Sequence, residues 1–173
     1  MNRNLRENIS KCQNDLLDKG YCLTKIPLPE EVARYVKQKD YNSLDASFLK
    51  YTAPDGFLFE YLKNYLNFHK IEFIISLREA TNEWEGDGIW HDDGSRALAF
   101  SLSLTLDEVC GGHLGIRKKM EETFTSIPTP EYGTMIIFKT GRDDYEHKIH
   151  AVTKGSRLII AGWCYDSNSD SIL

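Results

Sequence analysis

The 173-residue sequence predicts a mainly β fold with flanking N-terminal helices. Three observations carry that expectation. Up to about residue 70, apolar residues recur mostly at helical spacing. From residue 71 they fall in short alternating or continuous runs separated by turn residues, the mark of a sandwich or barrel. No repeat, low-complexity tract or Pro-rich linker divides the two parts. The expectation is one domain over 1–173. It comprises a helical support region with one strand (1–70), a β core (71–165) and a C-terminal tail (166–173).

The elements follow in order. "NLRENISKCQNDLLDKG" sets Leu5, Ile9, Cys12, Leu16 and Leu17 on one helical face, and Gly20 ends it. "YCLTKIPLP" alternates and runs into prolines, as a strand leaving a helix does. "PEEVARYVKQ" opens with proline and two acids, a good helix start. "DGFLFEYLKNYLNF" predicts a third helix. "IEFIISLREA", "RALAFSLSLT", "GGHLGIRKK", "GTMIIFKT" and "SRLIIAGWCY" each predict a strand. In the second of these, Leu98, Phe100, Leu102 and Leu104 alternate with small or polar partners.

Composition narrows the function. The chain is 41% hydrophobic and 27% charged, and its apolar runs are too short to span a bilayer. A net charge of −5 gives no electrostatic footprint for nucleic acid. Cys12, Cys22, Cys110 and Cys164 form no CxxC pair and match no zinc spacing. With no apolar signal-peptide core in "MNRNLRENISKCQ", the expectation is a cytoplasmic protein with reduced thiols. Cys22, Cys110 and Cys164 then read as small packing residues.

The chemistry concentrates in "WHDDG". On an extended strand His91 and Asp93 share a face while Asp92 points away. A histidine and a carboxylate on one face make two arms of a chelate. The third arm would come from "EHKIHAVTKGSR", which offers His147 and His150. Two histidines and one carboxylate on one side of a metal form the facial triad of non-haem Fe(II) oxygenases. His147 and His150 differ by an odd number of positions and would point to opposite faces of one strand. Only one of the two can then serve; if Arg157 belongs to the same site, as the resemblance below implies, its even separation from His147 puts those two on one face and favours His147.

The ordered set resembles the 2-oxoglutarate/Fe(II)-dependent dioxygenases, in particular their prolyl-hydroxylase-like branch. The likeness runs from about Ile71 to Tyr165. That branch reads H-x-V-x-P-V-x-x-G-x-R on its distal-histidine strand, and "HKIHAVTKGSR" matches it through His147, Ile149, Val152, Gly155 and Arg157, with Ala151 in place of the proline. "GGHLGI" and "GTMIIF" match two further strands. The resemblance implies a double-stranded β-helix, a cupin-like jelly roll, for the β core. It implies Fe(II) held by His91, Asp93 and His147, with 2-oxoglutarate as co-substrate and O2, and ascorbate as a supporting reductant. Arg157 would pair with the distal carboxylate of 2-oxoglutarate, for which a planar, permanently charged fork is suited. The tyrosine that often assists it falls by position on Ser103. The implied activity is hydroxylation of a C–H bond with release of succinate and CO2, a prolyl residue of a protein or peptide being the first expectation. A free amino acid or small-metabolite hydroxylase is the alternative, and a non-catalytic jelly-roll binding module the reading from another class. No nucleic-acid or membrane partner is expected.

Other residues carry plainer readings. Asp92 reads as a surface or supporting acid, and His113 as an exposed or satisfied histidine. Trp90 reads as packing beside the site and Trp163 as a core residue. Arg96 is open between a substrate contact and a surface ion pair. Trp84, in the loop "NEWEGDGIW", is a candidate lid aromatic. Lys154 and Arg117 to Lys119 read as solvated strand ends.

Overall fold

The computed structural model describes residues 3–81 and 86–166, with side chains from residue 7 onward. Trp84, the side chain of Leu5 and the tail from residue 167 lie outside the described residues. Helix α1 (Arg3–Lys19) ends at Gly20, whose φ of +79° suits glycine. Strand β1 (Tyr21–Lys25) follows, then helices α2 (Glu30–Gln38), α3 (Tyr41–Thr52) and α4 (Phe57–Leu62). The β region comprises β2 (Lys70–Glu79), β3 (Leu98–Ser103), β4 (Cys110–Gly111), β5 (Leu114–Lys118), β6 (Thr125–Ile127) and β7 (Thr134–Phe138). A 3₁₀ turn (Gly141–Asp143) leads to β8 (Tyr145–Ile149), β9 (Val152–Lys154) and β10 (Ser156–Tyr165).

Two helical expectations need correction. The third helix spans only Phe57–Leu62, because the Asn64 side-chain amide donates to the carbonyls of Glu60 and Tyr61 at 3.2 and 2.7 Å and ends it. Helix α3 has no counterpart in the sequence reading. Its start is marked by Asp40, whose Oδ1 accepts the Ser43 N–H at 3.0 Å, and its buried face is Leu44, Phe48 and Thr52.

The strands form two facing layers. The major sheet runs β1-β7-β3-β10-β2 and the opposing sheet β6-β5-β8, every pairing antiparallel. The alternation in β3 sorts its side chains between two cores. Leu98, Phe100 and Leu102 point outward, with Met135, Ile137, Leu158 and Ile160, against Val32, Leu44, Phe48, Leu58 and Leu62 of the helices. Each such side chain, fully buried, contributes roughly 1.5–3 kcal/mol. Ala99 points inward, with Ile136 and Phe138, against Leu114, Ile116, Ile127 and Tyr145 of the second sheet. The helices thus cover one face of the major sheet, and the other faces the interior between the sheets.

The cysteine reading also changes. Cys12 of α1 and Cys22 of β1 form a disulfide across the Gly20 turn, so these two are not reduced thiols. Cys110 is exposed rather than packed, and only Cys164 is a buried free thiol. Among the described residues, no helix is long and apolar enough to cross a membrane.

Candidate metal centre

His91 and His147 lie directly opposite one another, outside the regular ladder on the His91 side. The His91 N–H donates to the His147 carbonyl at 3.0 Å and the His147 N–H to the His91 carbonyl at 2.8 Å. This pairing brings the imidazole centroids to 4.4 Å. The His91 Nδ1 lies 3.0 Å from the Ile89 carbonyl. A carbonyl only accepts, so that contact places the proton on Nδ1 and leaves the Nε2 lone pair for a metal. His147 points into the interior from β8, 7% exposed, with its ring edge-on to Phe138. Burial pulls its pKa down to about 4 against the opposing pull of Asp93, which keeps the imidazole in the neutral, metal-binding form.

Asp93 is held by one hydroxyl. Thr140 Oγ1 accepts the Asp93 backbone N–H at 3.0 Å and donates to Asp93 Oδ2 at 2.9 Å. Thr140 is fully buried. Gly141 beside it is required by close approach, since a Cβ there would lie 2.6 Å from the Gly94 carbonyl. Asp93 Oδ2 sits 3.9 Å from His147 Nε2, and one ligand atom from each of His91, Asp93 and His147 lies within 4.8 Å of the others. The three candidate ligands therefore converge.

Deeper in the interior lies Arg157, 1% exposed. Its Nη2 lies 3.4 Å from Ser101 Oγ, and its Nε has no hydrogen-bond partner. No carboxylate of the described residues pairs with it. Burial, then the charge of Arg78, draw its pKa down to about 10, which leaves it charged at neutral pH. Gly112, at φ +65°, is the close-approach glycine of "GGHLGI": a Cβ there would fall 2.6 Å from Arg157 Cδ.

The remaining candidates sort as follows. Ser103 is fully buried on the same inner face as Ser101, but its hydroxyl accepts the Thr105 N–H at 3.3 Å. His150 is far from a ligand role. Its Nδ1 meets Asp87 Oδ2 at 3.2 Å and its ring stacks on Phe124. Asp87 also takes the Ala151 N–H at 2.8 Å and Lys148 at 3.2 Å, fastening the loop before His91 to the end of β8. Asp92 accepts the Gly94 N–H at 2.7 Å and pairs with Lys119 at 2.6 Å, turning away from the ligand set. Arg96 is structural. It bonds Tyr165 at 2.8 Å, stacks over Trp163 and donates to the Asp93 carbonyl at 3.3 Å. His113 is satisfied by Ser126 at 3.1 Å. Arg117 is not a solvated strand end, since it pairs with Glu146 at 2.6 Å and lies over the Trp90 ring.

Two parts of the sequence argument need correction. Asp93 follows an isolated bridge rather than lying on a strand. His147 and Arg157 do not share a strand. β8 ends at Ile149, β10 begins at Ser156, and the two strands belong to opposite sheets. They meet because the sheets face each other, not through even spacing. The sequence reading missed Thr140 and Ser101. Ser101 was signalled by its position two residues from Ser103 on one face, and Thr140 by a polar residue closing the apolar run of β7.

A family model of the 2OG-Fe(II) oxygenase superfamily matches residues 79–165, half of the chain. The chain belongs to that superfamily. No curated protein sequence matches it. Among solved structures, a Pseudomonas putida prolyl-4-hydroxylase is similar at 16% identity and a TM-score of 0.65, over 91% of this chain and 94% of that one. A Trichoplax adhaerens prolyl hydroxylase, solved with a hypoxia-inducible-factor degradation-domain peptide, gives 15% and 0.66 over 99% and 96%. The α-ketoglutarate-dependent epimerase SnoN of nogalamycin biosynthesis gives 11% and 0.66 over 94% and 82%. These likenesses show the fold, a double-stranded β-helix with N-terminal helices. As a member of the superfamily the protein is a non-haem Fe(II), 2-oxoglutarate-dependent enzyme, and its His-Asp-His set is of the kind such an enzyme uses.

Proposed function

We propose that this oxygenase hydroxylates a C–H bond of a prolyl residue in a protein or peptide, with His91, Asp93 and His147 holding Fe(II) and Arg157 receiving the distal carboxylate of 2-oxoglutarate. The observation that carries the reading is the convergence of three ligand atoms within 4.8 Å in the same interior as a buried arginine without an anionic partner. The donor set suits Fe(II): two neutral imidazoles and one carboxylate leave coordination positions open. The arginine suits the co-substrate, because an unpaired buried guanidinium is costly until a carboxylate reaches it. Iron and 2-oxoglutarate together supply oxidative decarboxylation to succinate and CO2 and the transfer of one oxygen atom from O2 to substrate.

The protein's own groups do the arranging. Ile89 fixes the His91 tautomer through its carbonyl. Thr140 aims the Asp93 carboxylate and Arg96 steadies its backbone. Ser101, Ser103 and Ala99 keep the inner face of β3 small beside Arg157. The prolyl assignment is supported by the "HKIHAVTKGSR" match and by the two prolyl hydroxylases among the similar structures.

The test is anaerobic. Fe(II) and then 2-oxoglutarate are added to the protein, and the visible metal-to-ligand absorption of a chelated keto acid is recorded. The band should form in the parent and in His150→Ala, and vanish in His91→Ala, Asp93→Ala and His147→Ala. Peptides with and without proline are then compared for coupled succinate release. No band in the parent, or an unchanged band in His147→Ala, removes the assignment. A band without proline-dependent succinate release removes the prolyl substrate alone.

A further inference from the structure

On the inner face of the major sheet a second arginine stands beside the first. The register of β10 on β2 pairs Arg157 with Arg78 directly, so both side chains leave the sheet on the same side. Like charges at opposed positions repel, and the Arg78 charge is one of the two causes that lower the Arg157 pKa. Arg78 is half-buried, and among the described residues its hydrogen bond is a 3.3 Å contact from Nη1 to the Gly86 carbonyl. Among the described residues neither arginine pairs with a carboxylate. Two adjacent guanidiniums without an internal counter-charge are stable only if an anion shared between them, or water at the open edge, offsets the repulsion.

Their placement favours the anion. Arg157 lies along the inner face of the sheet against Ser101 of the neighbouring β3, whereas Arg78 stands on β2, the edge strand of the sheet. Arg78 touches Gly86, and Asp87 beside it accepts the Ala151 N–H; the Gly112 N–H donates to the Ala151 carbonyl at 2.8 Å, and a Cβ on Gly112 would fall 2.6 Å from Arg157 Cδ. Both cations therefore face the same interior from adjacent strands.

We propose that Arg78 is the second anchor for the distal carboxylate of 2-oxoglutarate, acting beside Arg157. The inference rests on the proposed role of Arg157. Two guanidiniums converging on one carboxylate make binding tighter and more salt-dependent than one arginine with a hydroxyl.

The experiment titrates the anaerobic Fe(II) protein with 2-oxoglutarate, and separately with pyruvate, a keto acid that lacks the distal carboxylate, reading the absorption band. Fe(II) affinity is measured alone as a control. Arg78→Met should weaken 2-oxoglutarate binding at least about tenfold and flatten its salt dependence. It should leave Fe(II) and pyruvate binding unchanged, and Arg78→Lys should recover part of the loss. Unchanged 2-oxoglutarate affinity in Arg78→Met overturns the proposal, as does an equal loss for pyruvate. Arg157→Met separates the two readings. If it leaves 2-oxoglutarate binding intact, the role proposed for Arg157 falls. If it abolishes binding while Arg78→Met does nothing, only the role of Arg78 falls.

Discussion

The two faces of β3 are built from the same six residues and do opposite work. Leu98, Phe100 and Leu102 face the helices and pack at interior density, with Gly162 of β10 left bare so that the Phe100 ring fits over it. Ala99, Ser101 and Ser103 face the second sheet and are small, and the Arg157 side chain lies against Ser101 among them. One face spends its side chains on stability. The other gives up packing to house polar groups whose partners are incomplete: Arg157 Nε and His147 Nδ1 both lack a hydrogen bond. An orphaned polar group in an interior is costly, and the Arg157 guanidinium that carries one has no carboxylate partner among the described residues.

Substitutions on the two faces should separate stability from binding. The largest effect is expected from Phe100→Ala, which empties a fully buried ring site and should lower unfolding stability by about 3–5 kcal/mol in a denaturant titration. Ser101→Ala, its neighbour on the inner face, should cost under about 1 kcal/mol, because its hydroxyl makes only a 3.4 Å contact. Equal destabilisation by the two would break the comparison.

Thr140→Val sharpens it from the other side. The change keeps the shape but removes the hydroxyl that holds Asp93 at both its backbone N–H and its carboxylate. Fe(II) affinity should fall about 10- to 100-fold, as it does when groups that orient metal ligands are lost. Thr140→Ser, which keeps the hydroxyl, should restore most of it. Isothermal titration with Fe(II) under anaerobic conditions checks both, and a Thr140→Ser as weak as Thr140→Val would assign the effect to packing instead.

How much of this was legible beforehand differs between the faces. The outer face follows from alternation alone, since Leu98, Phe100 and Leu102 announce a buried stripe and the helices before them supply its cover. The candidate ligands His91, Asp93 and His147 were legible because metal chemistry restricts residue type and order along the chain. Helix α3 was not, because its buried face is only Leu44, Phe48 and Thr52 and its start depends on an Asp40 side-chain bond. Arg78 was not, because a strand's neighbour is set by sheet register, and nothing local in "SLREA" says that Arg157 will lie opposite. Thr140 and Ser101 are single hydroxyls whose importance is their position in three dimensions. The Cys12–Cys22 bridge was hidden for a similar reason: the Gly20 turn folds α1 back on β1, and spacing alone does not show that the two thiols meet.

The smallest effect concerns the outer face of the second sheet, where His150 stands three residues from the candidate ligand His147 and meets Asp87 and Phe124 instead. Asp87 gathers His150, Lys148 and the Ala151 N–H, and with the Gly88 N–H on the Ile149 carbonyl at 2.8 Å it fixes the strand-like segment that carries His91 against β8. These charged contacts are largely exposed, so each is weak. Asp87→Ala and His150→Ala should each reduce Fe(II) affinity only about two- to fivefold. If both act through one clamp, the double variant will be no weaker than Asp87→Ala alone, whereas independent roles would multiply. A His150→Ala loss approaching that of His147→Ala would mean that the two histidines exchange at the metal. The geometry opposes this: His147 faces the interior beside Asp93, while the His150 ring lies between Asp87 and Phe124 on the far side of the strand.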